Sequence, residues 1–203
     1  MTMAPVHVML SKPDRNPITV HWIAQAGTAS PGTDYASMRG TLTIPAGETE
    51  AMIDAEVVAD AMDEPTETFQ IKVVDALGTR ITDRVGTVTI HDDDAAPTVR
   101  VRDTRRREDH GEAHAEVLLS APSGRTVIVH YVTHHVSARA GSDYVRKDSR
   151  LIFRPGETRH LVRVVLVDDH VHEPTETFHV EIDRVEQATS ARAVATVTIT
   201  DDD

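Results

Sequence analysis

Carboxylate side chains lie in a few short clusters along this chain and are not spread evenly. In the second half of the sequence the clustered acids are Asp168, Asp169, Glu173, Glu176, Asp201, Asp202 and Asp203, with Glu108 and Asp143 elsewhere in the same half. The first half carries a matching set, which consists of Asp34, Asp60, Glu64, Glu67, Asp92, Asp93 and Asp94. Carboxylates that meet within a few ångströms repel one another strongly unless a cation lies between them.

A hard divalent cation with oxygen ligands is the partner that such clusters favour. Calcium accepts six to eight oxygen atoms at about 2.3–2.6 Å, tolerates irregular geometry and takes bidentate carboxylates, whereas magnesium prefers an octahedron with retained waters. The clusters therefore predict Ca²⁺ sites. The alternative is that the acidic loops only keep the surface soluble, but the same constellation occurs twice, which favours ion binding.

The clusters recur because the chain contains an internal repeat. The matching segments are 32–35 with 141–144, 47–49 with 156–158, 64–69 with 173–178, and 87–94 with 196–203. Each pair is 109 residues apart, and residues 64–69, Glu-Pro-Thr-Glu-Thr-Phe, recur unchanged. We therefore predict two tandem copies of one domain, at 1–94 and 95–203.

The second copy opens with a strand-like run at residues 98–102, and the counterpart of this run would precede Met1. We expect the first copy to lack its opening strand. Two explanations are open: a segment cut from a longer chain, or a gene model that starts inside a domain.

Apolar and polar residues alternate with a period of two through both copies. Phe69, Ile71 and Val73 alternate with Gln70 and Lys72, and the same pattern recurs from Phe178. With Gly, Pro and Asp clusters between the runs, this pattern predicts about seven short strands per copy, packed as two sheets. The predicted fold class is all-β: two tandem immunoglobulin-like antiparallel β-sandwiches, the first lacking its N-terminal strand. Loops at the strand ends would then bring the acids to one pole of each sandwich.

Composition limits the classes of protein to which the chain can belong. Its 203 residues, 39% hydrophobic and 27% charged, are enough for two domains with buried cores. A formal net charge of −12 repels nucleic acid and anionic lipid but attracts cations. The chain has no cysteine, which excludes disulfides, cysteine-ligated metals and thiol catalysis. No apolar run approaches the roughly 18 residues of a membrane span, so direct membrane insertion is not expected; no signal peptide is visible.

Histidines offer an alternative to a pure calcium site. The chain has 12 of them, and His170 and His172 lie inside the acidic loop of the second copy, so a transition-metal variant of the site is conceivable.

An enzyme is not predicted. The acids recur in two copies without neighbouring aromatic platforms, and the sequence contains no hydrolase, metalloprotease or phosphate-binding motif.

Taken together, these motifs resemble the Calx-β domain. The order is an acid near a glycine (Glu108, Gly111), Gly-x-Asp-Tyr (141–144), Pro-Gly-Glu-Thr (155–158), Asp-Asp-x-x-x-Glu-x-x-Glu-x-Phe (168–178) and a final Asp-Asp-Asp (201–203). The resemblance covers nearly all of the second copy and the first copy without its first strand. It implies a seven-stranded sandwich that binds calcium through carboxylates at one pole. In the second copy the implied ligands are Glu108, Asp143, Asp168, Asp169, Glu173, Glu176 and Asp201, Asp202 and Asp203.

The first copy departs from the pattern of the family at two places. Ala59 stands where the second copy has Asp168, and the counterpart of Glu108 would precede Met1. The remaining candidate ligands are Asp34, Asp60, Glu64, Glu67, Asp92, Asp93 and Asp94. We therefore expect a weaker site there, or fewer ions. In the second copy, His170 stands where many family members have a third Asp.

The resulting hypothesis is a calcium-binding structural or adhesion module, part of a larger bacterial surface protein and located outside the cell or at its surface. Calcium would order the pole of each sandwich and stiffen the junction between the copies, which has only Ala95 and Ala96 before Pro97. The expected partners are calcium ions and other domains of the same larger protein. One alternative is a spacer with vestigial metal sites, and another is a protein-interaction or self-association module that uses the open sheet edge of the first copy. In a cytoplasmic regulatory region, the same chemistry would serve calcium sensing.

Overall fold

The computed structural model describes all residues of the chain, Met1–Asp203. It contains fifteen β-strands and one short 3-10 helix, Glu108–His110. The strands of the first repeat are β1 Thr2–Met9, β2 Ile18–Ala26, β3 Arg39–Ile44, β4 Glu50–Val57, β5 Glu67–Leu77 and β6 Val85–Ile90. Those of the second are β7 Thr98–Val101, β8 Thr104–Arg107, β9 Glu112–Leu119, β10 Val127–His135, β11 Asp148–Phe153, β12 Arg159–Val165, β13 Glu176–Glu186, β14 Thr189–Arg192 and β15 Val194–Thr200. No helix has the length and apolar character needed to cross a lipid bilayer.

Proximity of Cα atoms divides the chain into two compact units. One unit comprises Met1–Ala61 and Pro65–Asp92, and the other comprises Met62–Glu64 and Asp93–Asp203. Apart from the three residues Met62–Glu64, the division runs close to the 109-residue repeat seen in the sequence.

The second repeat is a sandwich of two sheets, in the strand orders β12-β9-β7-β14 and β11-β10-β13-β15-β8. Most neighbouring strands are antiparallel, as alternation with short turns predicts, but β7 pairs with β14 and β8 pairs with β15 in parallel. The N-terminal strand therefore crosses from one sheet to the other between Val101 and Thr104. This crossing places the residue after β8 beside the end of the last strand.

The first repeat has the same two layers with fewer strands. Its sheets have the orders β1-β4 and β3-β2-β5-β6, and all of these pairs are antiparallel. It has no strands equivalent to β7, β8 and β14 of the second repeat. The predicted all-β, immunoglobulin-like fold is confirmed, and so is the absence of the N-terminal strand from the first sandwich.

The inward-facing residues of each repeat form the core that the alternation predicts. In the second repeat Val99, Val117 and Phe178 are each 0% exposed. Tyr144 stacks on Phe178 with ring centroids 4.1 Å apart, and Tyr35 stacks on Phe69 in the first repeat at the same distance. Because Tyr144 directly follows Asp143 and Phe178 lies two residues after Glu176, these buried rings fix the positions of two acid-bearing segments.

Candidate metal centre

A tight turn presents Asp143 beside the end of strand β12. Gly141 has a φ angle of +101°, which favours glycine, and the Asp143 carboxylate accepts a 2.6 Å hydrogen bond from the Arg139 N–H. The Val167 N–H then donates to the Asp143 carbonyl at 3.0 Å. The turn is thus tied to the loop after β12, which carries Asp168, Asp169 and Glu173.

Strand pairing brings the other acids to the same edge. Arg107 at the end of β8 lies opposite Thr200 at the end of β15, so Glu108 and Asp201 follow two parallel neighbours at the same point. Glu176 begins β13 and lies opposite Ile199 in β15. Residues far apart in sequence therefore meet because three strands begin or end at one pole.

Eight of the nine candidate ligands of the second repeat fall into groups whose carboxylate oxygens lie within 4.8 Å of one another. The groups are Glu108, Asp168 and Asp202; Glu108, Asp201 and Asp203; and Asp143, Glu173 and Glu176. Glu108 belongs to two of these groups. All the donors are oxygen atoms, which suits a hard cation.

Asp169 belongs to none of the three groups. Its carboxylate accepts a 2.7 Å hydrogen bond from the Val171 N–H, which shapes the loop between β12 and β13. Asp169 is still close enough to influence the cluster. Burial raises the pKa of Glu173, and the charges of Asp143, Asp169 and Asp201 raise it further.

Glu108 is the most buried acid of the centre, with an exposed fraction of 4%. Burial, followed by the neighbouring Asp201, raises its pKa to about 7. One carboxylate oxygen of Glu108 (Oε1) and one of Asp201 (Oδ1) are buried without a hydrogen-bond partner. Buried carboxylate oxygens are rarely left unpaired, because desolvating a charge is costly. The residues therefore fit a cation that both oxygens would bind.

A second acidic pair shows the same repulsion. Burial raises the pKa of Glu176 to about 7, with a hydrogen bond to Asp143 as the next cause. The pKa of Asp143 is lowered; burial opposes this, but hydrogen bonds from the Arg139 N–H, Ser142 and Glu176 outweigh it. The pKa values of the two carboxyl groups are thus shifted in opposite directions, as expected for two acids that lie close together.

Two basic side chains also contact the cluster, a feature for which the sequence gave only a weak signal. His172 Nδ1 lies 2.7 Å from Asp201 Oδ2, and Arg107 Nη2 lies 3.0 Å from Asp202 Oδ2. His170 is a more distant neighbour, 3.6 Å from Asp203. His172 belongs to the His-x-His pair inside the acidic loop, and Arg107 is the last of three consecutive arginines, residues 105–107.

The first repeat has a smaller cluster. Oxygen atoms of Asp34, Glu64 and Glu67 lie within 4.8 Å of one another, and the Asp34 carboxylate accepts a 2.6 Å hydrogen bond from the Ser30 N–H. The candidates that do not belong to such a group are Asp60, Asp92, Asp93 and Asp94. The first repeat thus has one such group, and the second repeat has three.

In the absence of metal, the protein is expected to become more stable as the pH falls from 8 to 5. The pKa values of Glu108 and Glu176 are about 7 in the folded state, against an ordinary value of 4.5, so the folded state binds more protons between these limits. This contribution to stability is fully present below pH about 4.5 and is lost as the pH rises through about 7. The raised pKa of His172 acts in the same direction.

Melting temperatures measured by circular dichroism in calcium-free buffer would check this expectation. The control is the same pH series with saturating calcium, in which deprotonated ligands are favoured and the trend should flatten or reverse. A metal-free melting temperature that rises from pH 5 to pH 8 would contradict the electrostatic description of the cluster.

Comparison with known proteins places the whole chain in one family. The Calx-beta domain matches residues 1–94 and again residues 91–203. The sodium/calcium exchanger Calx of Drosophila melanogaster is 29% identical over 168 residues, which are 81% of this chain and 18% of the exchanger. Sodium/calcium exchanger 1 of Canis lupus familiaris is 30% identical over 189 residues, 82% of this chain and 20% of the exchanger.

Among solved structures, the apo form of the Calx CBD1 domain is similar, with 27% sequence identity and a TM-score of 0.50. The match covers 54% of this chain and 100% of that domain. The chain spans about a fifth of the length of the exchangers. Since the family domain matches two successive segments that together cover the sequence, the chain belongs to the Calx-beta domain family.

Proposed function

We propose that this chain is a non-catalytic calcium-binding module in which the ion neutralises and orders the acidic pole of each sandwich. The observation that carries the proposal is the pair of buried, unpartnered oxygens on Glu108 and Asp201 within a cluster of carboxylates. The exchangers that resemble the chain are named for calcium, which agrees with the ion chosen. The chain covers only about a fifth of those proteins, so ion exchange is not part of the proposal.

The grouping of oxygens supports at least two ion positions in the second repeat. Glu108 would be shared between the ion positions formed with Asp168 and Asp202 and with Asp201 and Asp203. Asp143, Glu173 and Glu176 would hold a further ion. Asp169 would complete this set from the loop. In the first repeat Asp34, Glu64 and Glu67 would form a weaker site, because fewer carboxylates converge there.

The mechanism is electrostatic. When the ion is absent, repulsion between the carboxylates favours an open arrangement of the loops and the last strand end; a bound ion replaces this repulsion with attraction. In the first repeat, Asp92–Asp94 precede a linker of only Ala95 and Ala96. We propose that order at this acidic segment reduces the bending of the junction, so that calcium stiffens a larger protein of which the chain is a part.

Calorimetric titration of the calcium-free chain tests the binding proposal. Titrating calcium is expected to give a heat signal with more than one binding step. Magnesium should bind more weakly, because the site is rich in carboxylates and irregular, whereas magnesium prefers a regular octahedron with retained waters. No calcium-dependent heat, together with no calcium-dependent change in melting temperature, would contradict the binding proposal.

Small-angle scattering with and without calcium tests the stiffening of the junction separately. Identical scattering curves would reject the stiffening proposal alone.

The measured affinity would also separate two biological roles. A dissociation constant near micromolar favours calcium sensing in a regulatory region, whereas a value near millimolar favours a structural or adhesive role outside the cell.

A spacer with vestigial sites is the remaining alternative. In that case Asp169→Ala and Glu173→Ala would leave both calcium binding and stability unchanged.

A further inference from the structure

Two histidines and a glutamate lie together on one face of the five-stranded sheet of the second repeat. His134 in β10 is paired directly with His179 in β13, and Glu181 follows His179 by two residues. None of the three belongs to the acidic groups of the candidate metal centre. The cluster is therefore distinct from the proposed calcium site.

Strand alternation fixes the face on which the two histidines lie. Thr133 and Val180, which also pair with each other, are buried in the core of the sandwich. Because successive side chains of a strand point to opposite faces, His134 and His179 both point outward. His135 points to the other face for the same reason. The partner of His134 is therefore the histidine of the neighbouring strand and not the next residue in the sequence.

The glutamate lies at a distance from His134 that suits two ligands of one zinc ion. His134 Nε2 and Glu181 Oε2 are 3.3 Å apart. Zinc binds imidazole nitrogens and carboxylate oxygens at about 2.0–2.2 Å in a tetrahedron, which places two such donor atoms roughly 3.3–3.5 Å apart. These two atoms already have the separation that the ion requires.

The second histidine is positioned to supply the third ligand. Cβ atoms of directly opposite residues in an antiparallel pair are about 4.5–5.5 Å apart, so the imidazole rings of His134 and His179 can reach one ion. The side chains of His134 and Glu181 are 53% and 44% exposed, which leaves the site open to an ion from solution. Two imidazoles and one carboxylate are a donor set typical of zinc, with water at the fourth position.

The first repeat shows that the strand pairing does not need these side chains. Its strands β2 and β5 pair Gln25 with Gln70, which are the counterparts of the two histidines in the 109-residue repeat. Lys72 stands where the second repeat has the glutamate. All three metal-binding side chains are thus present in one repeat, and none of them is present in the other.

We propose that His134, His179 and Glu181 form a binding site for a divalent transition metal, and that Zn²⁺ is the ion that this donor set fits best. A bound ion would link β10 to β13 on the outer face of the sheet. The inference goes beyond the calcium proposal and does not depend on it, because calcium prefers oxygen ligands and competes poorly for imidazole.

His130 provides a matched control for this site. It lies on the same face of β10 and is 3.4 Å from the carboxylate of Glu186. The residues paired with it on the two neighbouring strands are Arg150 and Arg184, so it has no opposite histidine. Two arginines also disfavour a cation at this place. A histidine beside a carboxylate is thus present here without the second imidazole.

The test is a calorimetric and NMR titration of the intact chain with zinc chloride in the presence of excess calcium. We expect one saturable zinc site, with the largest amide shifts at residues 132–136 and 177–183. His134→Gln and His179→Gln, which reproduce the glutamine pair of the first repeat, should each weaken zinc binding at least about tenfold. His130→Gln should leave the affinity for zinc unchanged.

The glutamate is tested with the residue that the first repeat has in its place. Glu181→Lys should also weaken zinc binding at least about tenfold, because a ligand is lost and a positive charge is added. Circular dichroism checks that each variant folds. The glutamine pair and the lysine already occur in the same strands of the first repeat, so we expect all three variants to fold.

Zinc bound at the acidic loop is the outcome that would most directly contradict the proposal, since His172 contacts Asp201 there. In that case the amide shifts would be confined to residues 168–176 and 201–203, and His172→Gln would weaken binding while His179→Gln would not. Absence of saturable zinc binding would overturn the proposal as well. If calcium itself failed to bind, the comparison of the histidine variants would still locate the zinc.

Discussion

Saturating calcium is expected to raise the melting temperature of the second repeat by about 10–20 °C over the calcium-free protein. Ligand at a hundredfold excess over its dissociation constant stabilises the native state by about 2.7 kcal/mol. For a domain of about 100 residues, each kcal/mol shifts the melting temperature by about 4–8 °C. Circular dichroism or scanning calorimetry, with and without a chelator, would measure this difference.

The position of the only tryptophan makes the measurement specific to each repeat. Trp22 lies in strand β2 of the first repeat, so its fluorescence follows the unfolding of that repeat, whereas circular dichroism reports strands of both. Because the first repeat has the smaller acidic cluster, calcium should shift the tryptophan transition less than the circular dichroism transition. Equal shifts, or a tryptophan transition that moves more, would contradict the assignment of the stronger site to the second repeat.

Replacing Glu108 by Gln is expected to have effects of opposite sign in the presence and absence of calcium. At pH 8 the metal-free protein should gain roughly 1–2 kcal/mol in the free energy of unfolding, because a buried carboxylate with its pKa raised to about 7 is no longer charged. Calcium affinity should fall at least about tenfold, since a ligand shared by two groups of oxygens loses its charge. Chemical denaturation and calorimetric titration measure the two quantities.

Glu112→Gln is the matched control for this experiment. Glu112 lies four residues away, outside the acidic groups, and its pKa is lowered, chiefly by a hydrogen bond from His114, with Arg163 contributing. Its neutralisation should leave calcium affinity unchanged and give the metal-free protein no gain in stability. If Glu108→Gln lowered stability in both states and left calcium affinity intact, Glu108 would be a structural acid, and the proposed centre would lose its most buried ligand.

The opposite signs matter because they separate a metal ligand from an acid that is held by the fold. When hydrogen bonds or ion pairs within the protein stabilise an acid, replacing it by a neutral residue lowers the free energy of unfolding, with or without calcium. A carboxylate stabilised only by a bound cation destabilises the protein until that cation arrives. The unpartnered Oε1 of Glu108 and the raised pKa of this side chain predict that Glu108 belongs to the second class. Asp201 is different, because its Oδ2 lies 2.7 Å from His172 Nδ1 and its pKa is lowered.

Much of the fold could be predicted from the sequence, because its signals are local or repeated. The alternation around Phe69 and Phe178 predicts strands with one buried face, and both phenylalanines are 0% exposed in the structure. The 109-residue spacing predicts two copies of one domain, and the same spacing predicts the missing first strand. These conclusions depend on neighbouring residues or on identical segments, so they needed no knowledge of which strands pair.

The sequence also indicated the chemistry of the candidate site, since clustered Asp and Glu offer only oxygen ligands. It could not derive the place of Glu108, which stands apart from the acidic clusters in the sequence and was assigned as a ligand only by the family resemblance. Glu108 joins Asp201 because β8 pairs in parallel with β15 across more than 90 residues of chain. Periodicity identifies strands but does not identify their partners, so an antiparallel sandwich was predicted and the two parallel pairs were not.

What the sequence determined by itself was the repeated sandwich, its inward-facing residues and the type of ligand atom that it offers to an ion. The tertiary structure alone decided which acids are buried and which of their oxygens lack a hydrogen-bond partner. The physical reason is the range of the interactions. Side-chain polarity and strand period act between neighbouring residues, whereas desolvation, carboxylate repulsion and strand docking depend on distances that exist only after distant segments have packed.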